Sequence, residues 1–424
     1  MDKSKTPLRV AVIGAGIVGA AAAWELIKDG YEVTLIEPGE PGGSQAASYG
    51  NGAWLSPASI VPMSMPGLWR KVPGYLLDPE GPLTIRWSAL PRLTPWLLRF
   101  LVAGATVAKV ERTARALSSL LHDGPARHAA LAAEIGRPDL IGRTGLLYVY
   151  PDHKAFAAEA LAWRLRRDNG VRWVELFAEE LRQREPALDR RYTFGALVES
   201  GAHCTDPGAY VAAIVAHCLS KGAKLRRAVA QGFAIEDGRL RGVLTSDGPV
   251  ACERAVICAG IHSKVLARGT GDRIPLESER GYHCVIANPT VELRIPIMPS
   301  DGKMGNTTTR TGLRISGQVE LSCVDAEPNW KRADILLDHA LATYPGLGPR
   351  QDLKVDRWIG HRPSTADGLP VIGQARATSD VIHAFGHGHV GLVAGPITGR
   401  MVADIVSGRA PPADLGPFAA SRFS

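Results

Sequence analysis

The chain has 424 residues, enough for two or three domains of ordinary size and a large buried core. Its 45% hydrophobic and 21% charged residues exclude a disordered or collagen-like chain. The net charge of +7 is thinly spread, with no run of five or six basic residues, which argues against nucleic-acid binding.

The apolar, β-branched run Arg9–Ile13 reads as a buried strand, and residues 14–19 as a turn. Residues 20–28 read as a helix closed by Gly30, and 31–37 as a second strand. This βαβ unit implies a parallel sheet. Residues 39–66 form a long Gly-, Ser-, Ala- and Pro-rich loop of the kind that carries function. Residues 83–121 and 126–135 look helical, and 145–150 and 194–199 look like strands. Asp206-Pro207 is an N-cap followed by proline, opening a helix to about Leu219. Short strands follow at 224–229, 234–236, 242–245 and 254–258. An antiparallel pattern starts near Tyr282 and continues through 314–316 and 318–321. Residues 334–344 are helical, 380–385 a strand, and 392–407 a last helix before Gly408.

Lys3, Lys5 and Arg9 before the apolar run 10–24 superficially resemble a secretory leader, but glycines at fixed spacings give that run another use. The nearest approach to a membrane span, residues 93–110, is broken by Pro95, Arg99 and Lys109 and reads as an amphipathic helix. The six cysteines (Cys204, Cys218, Cys252, Cys258, Cys284, Cys323) form no C-x-x-C pair, so zinc lacks support and reduced thiols are expected. A cytoplasmic protein follows, with 83–110 as the stretch that would meet a membrane surface peripherally.

The strongest motif is Gly14-Ala15-Gly16-Ile17-Val18-Gly19. It follows a strand and opens a helix, and Glu37 stands 23 residues after Gly14, at the end of the next strand. That context makes it a dinucleotide fingerprint. Gly14 permits the tight turn, Gly16 clears space for a pyrophosphate, and Gly19 lets the helix approach the strand. Glu37 can accept hydrogen bonds from a ribose and would repel a 2′-phosphate, so FAD or NAD remains. Ala259-Gly260 ends a strand in small residues, and Gly386-His387-Gly388-His389-Val390-Gly391-Leu392 precedes the last helix. A helix N-terminus there suits the negative N1–O2 edge of a reduced flavin. His387 and His389 have no third clustered ligand, so no metal is expected.

With these segments, QAASYGNGAWLSP (45–57), VICAGIHS (256–263), ERGYHCV (279–285), LRISGQVEL (313–321) and WIGHRPSTADGLPVIG (358–373), the chain resembles a known family. It is similar to the FAD-dependent glycine oxidase / D-amino acid oxidase superfamily, most of all its D-amino acid dehydrogenase group. The resemblance implies a Rossmann-like FAD-binding domain at 1–85, 200–272 and 350–424. A substrate domain with a mostly antiparallel sheet would occupy 86–199 and 273–349. It implies that Gly14, Gly16, Ile17, Val18, Gly19, Glu37, Pro38, Ser44, Ser48, Asn51 and Gly52 line the adenosine, pyrophosphate and flavin. Val229 would meet the adenine, Ala259 and Gly260 the ribose and phosphates, and Gly386, Gly388, His389, Val390, Gly391 and Leu392 the pyrimidine edge.

Arg362 matches the family arginine that holds the substrate carboxylate and is the expected catalytic anchor. Tyr282, Met304, Asn306, Thr308 and His387 are the other expected substrate contacts. A structural alternative for Arg362 is a carbonyl cap or a pair with Asp367. No cysteine stands in the 358–373 segment, so FAD is expected to be non-covalent. The residues 306–309 lack the tyrosine that glycine oxidases use, which weakens a glycine-like substrate. The implied reaction is hydride transfer from a D-amino acid, or a secondary one such as hydroxyproline, to flavin. It gives an imine and then a keto acid, with O₂ or a quinone as acceptor. The alternative is an FAD subunit of a hetero-oligomeric opine or amino acid dehydrogenase; homo-oligomers are equally compatible. No second dinucleotide fingerprint supports a monooxygenase.

Overall fold

A computed structural model describes residues 7–77, 81 and 83–424. Two sheets organise the chain. The first has the strand order Lys224–Arg226, Glu32–Ile36, Arg9–Ile13, Arg254–Ile257, Val381–Phe385, Val371–Gln374. Its first five strands run parallel and the last is antiparallel. Helices Ile17–Lys28, Pro207–Ser220 and Gly391–Val406 cover one face. The first and last of these meet through small residues: a Cβ on Gly399 would come within 2.7 Å of the Ala21 backbone. The three-stranded meander Ala230–Glu236, Arg239–Thr245, Val250–Ala251 and helix Ser263–Gly269 bury the other face. Buried on both sides, the central strands read as continuous apolar runs and not as alternation.

The second sheet has nine strands. Its centre is the antiparallel trio Lys354–Thr365, Leu276–Ala287 and Gly312–Leu321. Gly305–Thr309, Ile297–Pro299, Leu146–Tyr150, Phe194–Val198 and Val174–Phe177 extend it. Helix Lys331–Thr343 packs on one face, burying Leu336, Leu337 and Ala340 against Cys284, Ile315 and Met304. The Rossmann-like and antiparallel halves of the expected fold are therefore both present.

Two segments depart from the sequence reading. The expected single helix 83–121 is a short strand, Leu83–Ile85, paired with Gly312–Leu321, then helices Leu90–Ala103 and Val107–Leu121. The bend of 95° falls at Gly104 and not at Pro95. Gly104 lies against Ser64, where a Cβ would sit 2.3 Å from the hydroxyl oxygen. The segment around Arg362, unassigned from sequence, is the 12-residue strand Lys354–Thr365. It belongs to the second sheet although the expected division put 350–424 with the first. Among the described residues, no single helix is long and apolar enough to cross a membrane.

Candidate active site

The N-terminal turn is built by contact. Gly14 has φ +97°, and a Cβ there would lie 2.5 Å from the Cys258 carbonyl oxygen. A Cβ on Gly19 would lie 1.9 Å from the Gly14 carbonyl oxygen, so only glycine lets this helix sit so close to the strand. Ser48 Oγ accepts the Ile17 N–H at 3.0 Å. The Glu37 carboxylate accepts the Ala15 N–H at 2.9 Å and the Gly39 N–H at 3.0 Å. It is thereby fixed beside the turn.

A cleft of about 650 Å³ starts here. It runs from Glu37, Pro38 and Val229 past Gly14, Gly16, Ile17, Val18, Ser48 and Asn51. It continues by Ala259 and Gly260 to Gly386, His387, Gly388, Gly391 and Leu392. Helix Gly391–Val406 opens at its far end, with free N–H groups at that terminus. An elongated cleft with a carboxylate at one end, a glycine cradle along its wall and a helix N-terminus at the other fits a dinucleotide.

Five expected cofactor residues are not on its wall. Gly19 packs beneath the turn, and Val390 is the buried N-cap of the last helix. Ser44 gives its carbonyl to Trp358 Nε1 at 2.8 Å, and Gly52 gives its carbonyl to Thr307 Oγ1 at 3.0 Å. His389 faces a separate cavity of about 30 Å³ with Glu279, Ser364, Met63 and Phe100. Burial pushes the His387 ring down to about 4, so it is neutral near pH 7, whereas His389 is exposed. Among the described residues, no three potential metal ligands cluster.

Arg362 lies on the second sheet in register with Glu279. Its guanidinium rests over Gly281, where a Cβ would come within 2.5 Å of Cζ. Among the described residues its one hydrogen bond is a long donation, 3.4 Å, to the Gln318 carbonyl. Asp367, the sequence-level candidate partner, pairs with Arg422 at 2.8 Å. Desolvation holds the Arg362 pKa below the usual arginine value, against the pull of Glu279.

The chain matches the model of the family described as FAD dependent oxidoreductase over residues 9–405. It belongs to that family. A D-amino-acid oxidase from Bradyrhizobium diazoefficiens is 53% identical over 417 residues, 98% of each chain. A D-amino acid dehydrogenase from Paramagnetospirillum magneticum is 31% identical, covering 98% of this chain and 99% of that one. The crystal structure of glycine oxidase from Geobacillus kaustophilus shares the fold, with a TM-score of 0.75 at 22% identity over 98% of this chain and 99% of that one.

In this FAD-dependent oxidoreductase the cleft residues fit the cofactor, which when bound supplies a flavin able to accept a hydride. The protein's part is to orient and exclude water. Arg314, which the sequence reading missed, donates to the Tyr49 and Asn51 carbonyls at 2.8 and 2.9 Å and pins the loop along the cleft. His283, also missed, meets the Gly50 carbonyl at 3.2 Å and stacks on Trp358, with ring centroids 4.9 Å apart.

Four expected substrate contacts face the other way. Tyr282 donates to Glu320 at 2.6 Å and accepts the Asn329 N–H at 3.0 Å. Met304 is fully buried in the core under helix Lys331–Thr343. Asn306 Nδ2 donates to Tyr344 at 2.8 Å, and Thr308 Oγ1 accepts the Leu293 N–H at 2.9 Å. The reason is strand period: one residue's slip exchanges the faces, and Thr307, not Asn306 or Thr308, looks toward the 50–54 loop.

Proposed function

We propose that the chain oxidises D-amino acids, giving an imine that water hydrolyses to a 2-oxo acid, with FAD held non-covalently. The observation that carries this is Arg362: a half-buried guanidinium with no acid partner within ion-pair distance among the described residues, between His361 and Pro363, which line the cleft. A planar fork there pairs bidentately with a substrate carboxylate. That fixes the α-carbon for hydride transfer by orientation. The D-configuration rests on the names of the relatives, and the 53% identical oxidase supports O₂ as acceptor.

The same reading makes 1–85, 200–272 and 350–424 the FAD-binding domain, with Leu83–Ile85 and Lys354–Thr365 reaching into the substrate domain. It also includes a peripheral membrane surface. Trp69, Trp87, Leu98 and Val102 are each more than half exposed, and Arg70 and Arg99 stand beside them.

The test is anaerobic titration of purified holoprotein with D- and L-amino acids, N-alkyl amino acids and opines, watching flavin bleaching. D-Amino acids should bleach it first. Bleaching by L-amino acids or opines alone would reject the reading. Acid precipitation should release the flavin; flavin left on the precipitate would reject non-covalent binding.

A further inference from the structure

Glu279 and Arg362 are direct cross-strand partners, so their side chains leave the same face of the sheet. Glu279 is only 7% exposed. Among the described residues, the two do not close into an ion pair, and neither has another ion-pair partner. Ser364 lines the same cavity as the Glu279 carboxyl and favours its charged form. Between Glu279, Ser364 and His389 lies the cavity of about 30 Å³, room for a group of one heavy atom with its hydrogens. A buried carboxylate beside a half-buried guanidinium, neither closed into an ion pair, is costly alone. The two groups match a guest that carries both charges on one carbon.

We infer that Glu279 is the ammonium site of the substrate: Arg362 takes the carboxylate, and Glu279 holds the amino group and takes its proton. This rests on the reading of Arg362 as the carboxylate anchor. Carboxylate and ammonium of an α-amino acid hang from the same carbon, and the two cross-strand side chains offer their complements side by side. The ammonium nitrogen has no lone pair. One N–H proton therefore moves to a Glu279 oxygen, and the freed pair closes the C=N bond as the α-hydrogen leaves with its bonding electrons for the flavin. Glu279 then returns the proton to solvent.

Burial raises the Glu279 pKa, while Arg362 and Ser364 lower it. Among the described residues, the other ionisable groups at the cavity are His389, which is exposed, and Asp367, which pairs with Arg422. The loop 62–64 and the two helices bring only Pro62, Met63, Ser64, Phe100, Ala103, Thr113 and Leu117, none of them charged.

The experiment uses two probes that cannot be oxidised because they lack an α-hydrogen. They are 2-aminoisobutyrate and its isostere pivalate, in which a methyl replaces the ammonium. Binding to the FAD-loaded protein is read from the flavin absorbance, without turnover. E279Q should weaken 2-aminoisobutyrate about 10- to 150-fold and leave pivalate unchanged or tighter. E279D, which keeps the charge, should retain preference for the amino probe. FAD content and melting temperature accompany each variant. Equal losses for both probes, or an E279D that discriminates no better than E279Q, would overturn the assignment. R362A should lose both probes; if it keeps pivalate, the anchor reading fails separately from that of Glu279.

Discussion

The Glu37 carboxylate accepts the Ala15 backbone N–H at 2.9 Å, so the acid at the end of the second strand is tied to the middle of the glycine turn. Its second oxygen takes the Gly39 N–H. Glu37 thus shapes the cleft's end besides offering acceptors to a ribose. Glu37→Ala should cost roughly 1–3 kcal/mol of cofactor binding and weaken FAD retention about 5- to 150-fold. FAD content after extended dialysis measures this, and unchanged occupancy would remove Glu37 from the site.

Arg362→Ala should lower kcat/KM by roughly 30-fold to several thousandfold, the equivalent of about 2–5 kcal/mol for a charge left unpaired. Arg362→Lys should recover only part, because a point charge does not reproduce the fork. FAD content should hold, since the side chain lies on the second sheet. Loss of FAD along with activity would make the arginine structural.

Acid should unfold the protein through its buried histidines. His128, His203 and His387 are pushed from 6.5 to about 4 by burial. The fold thus favours their neutral forms. That stability is complete above pH 6.5 and is lost as pH falls toward 4, where the folded protein must take up protons as well. The His128 Nδ1 meets the Tyr210 hydroxyl at 3.0 Å and Nε2 meets the Leu392 carbonyl at 2.8 Å. Urea midpoints should fall between pH 6.5 and 4, and His128→Asn should flatten that slope. An unchanged slope would place the acid sensitivity elsewhere.

The stretch 83–110 divides its apolar residues. Leu93 and Trp96 are core, Leu97 is half-buried against them, and Trp87, Leu98 and Val102 are exposed. Polar replacement of Trp87, Leu98 and Val102 together should reduce co-sedimentation with anionic vesicles and leave the melting temperature nearly unchanged. A large drop in melting temperature, or equal sedimentation, would reject the surface.

The local chemistry was legible in the sequence wherever one short segment sets it. The strand–GAGIVG–helix unit needs only its own backbone and the approach of Cys258, and it stands in the expected order, with the helix starting at Ile17 and not at residue 20. Legibility failed where a distant segment decides. Gly305–Thr309 is Gly-Asn-Thr-Thr-Thr, polar on both faces, so no hydrophobic alternation tells which side meets the core. Lys354–Thr365 escaped notice because Arg357, His361, Arg362 and Pro363 break any strand-like pattern. Only pairing with Leu276–Ala287 makes that segment extended, and the same pairing brings Glu279 to Arg362.

The first sheet has a consequence for how the protein is made. Arg9–Ile13 is synthesised well before its neighbour Arg254–Ile257 and the next strand, Val381–Phe385. The cleft is finished only by the turn at Gly386 and the helix that follows. An emerging polypeptide therefore carries its glycine turn for hundreds of residues before the opposite wall exists, with apolar strand edges uncovered meanwhile. Both walls of the cleft are available to FAD only after the segment 386–392 has joined the sheet. Chains truncated before residue 371 should therefore fail to retain flavin.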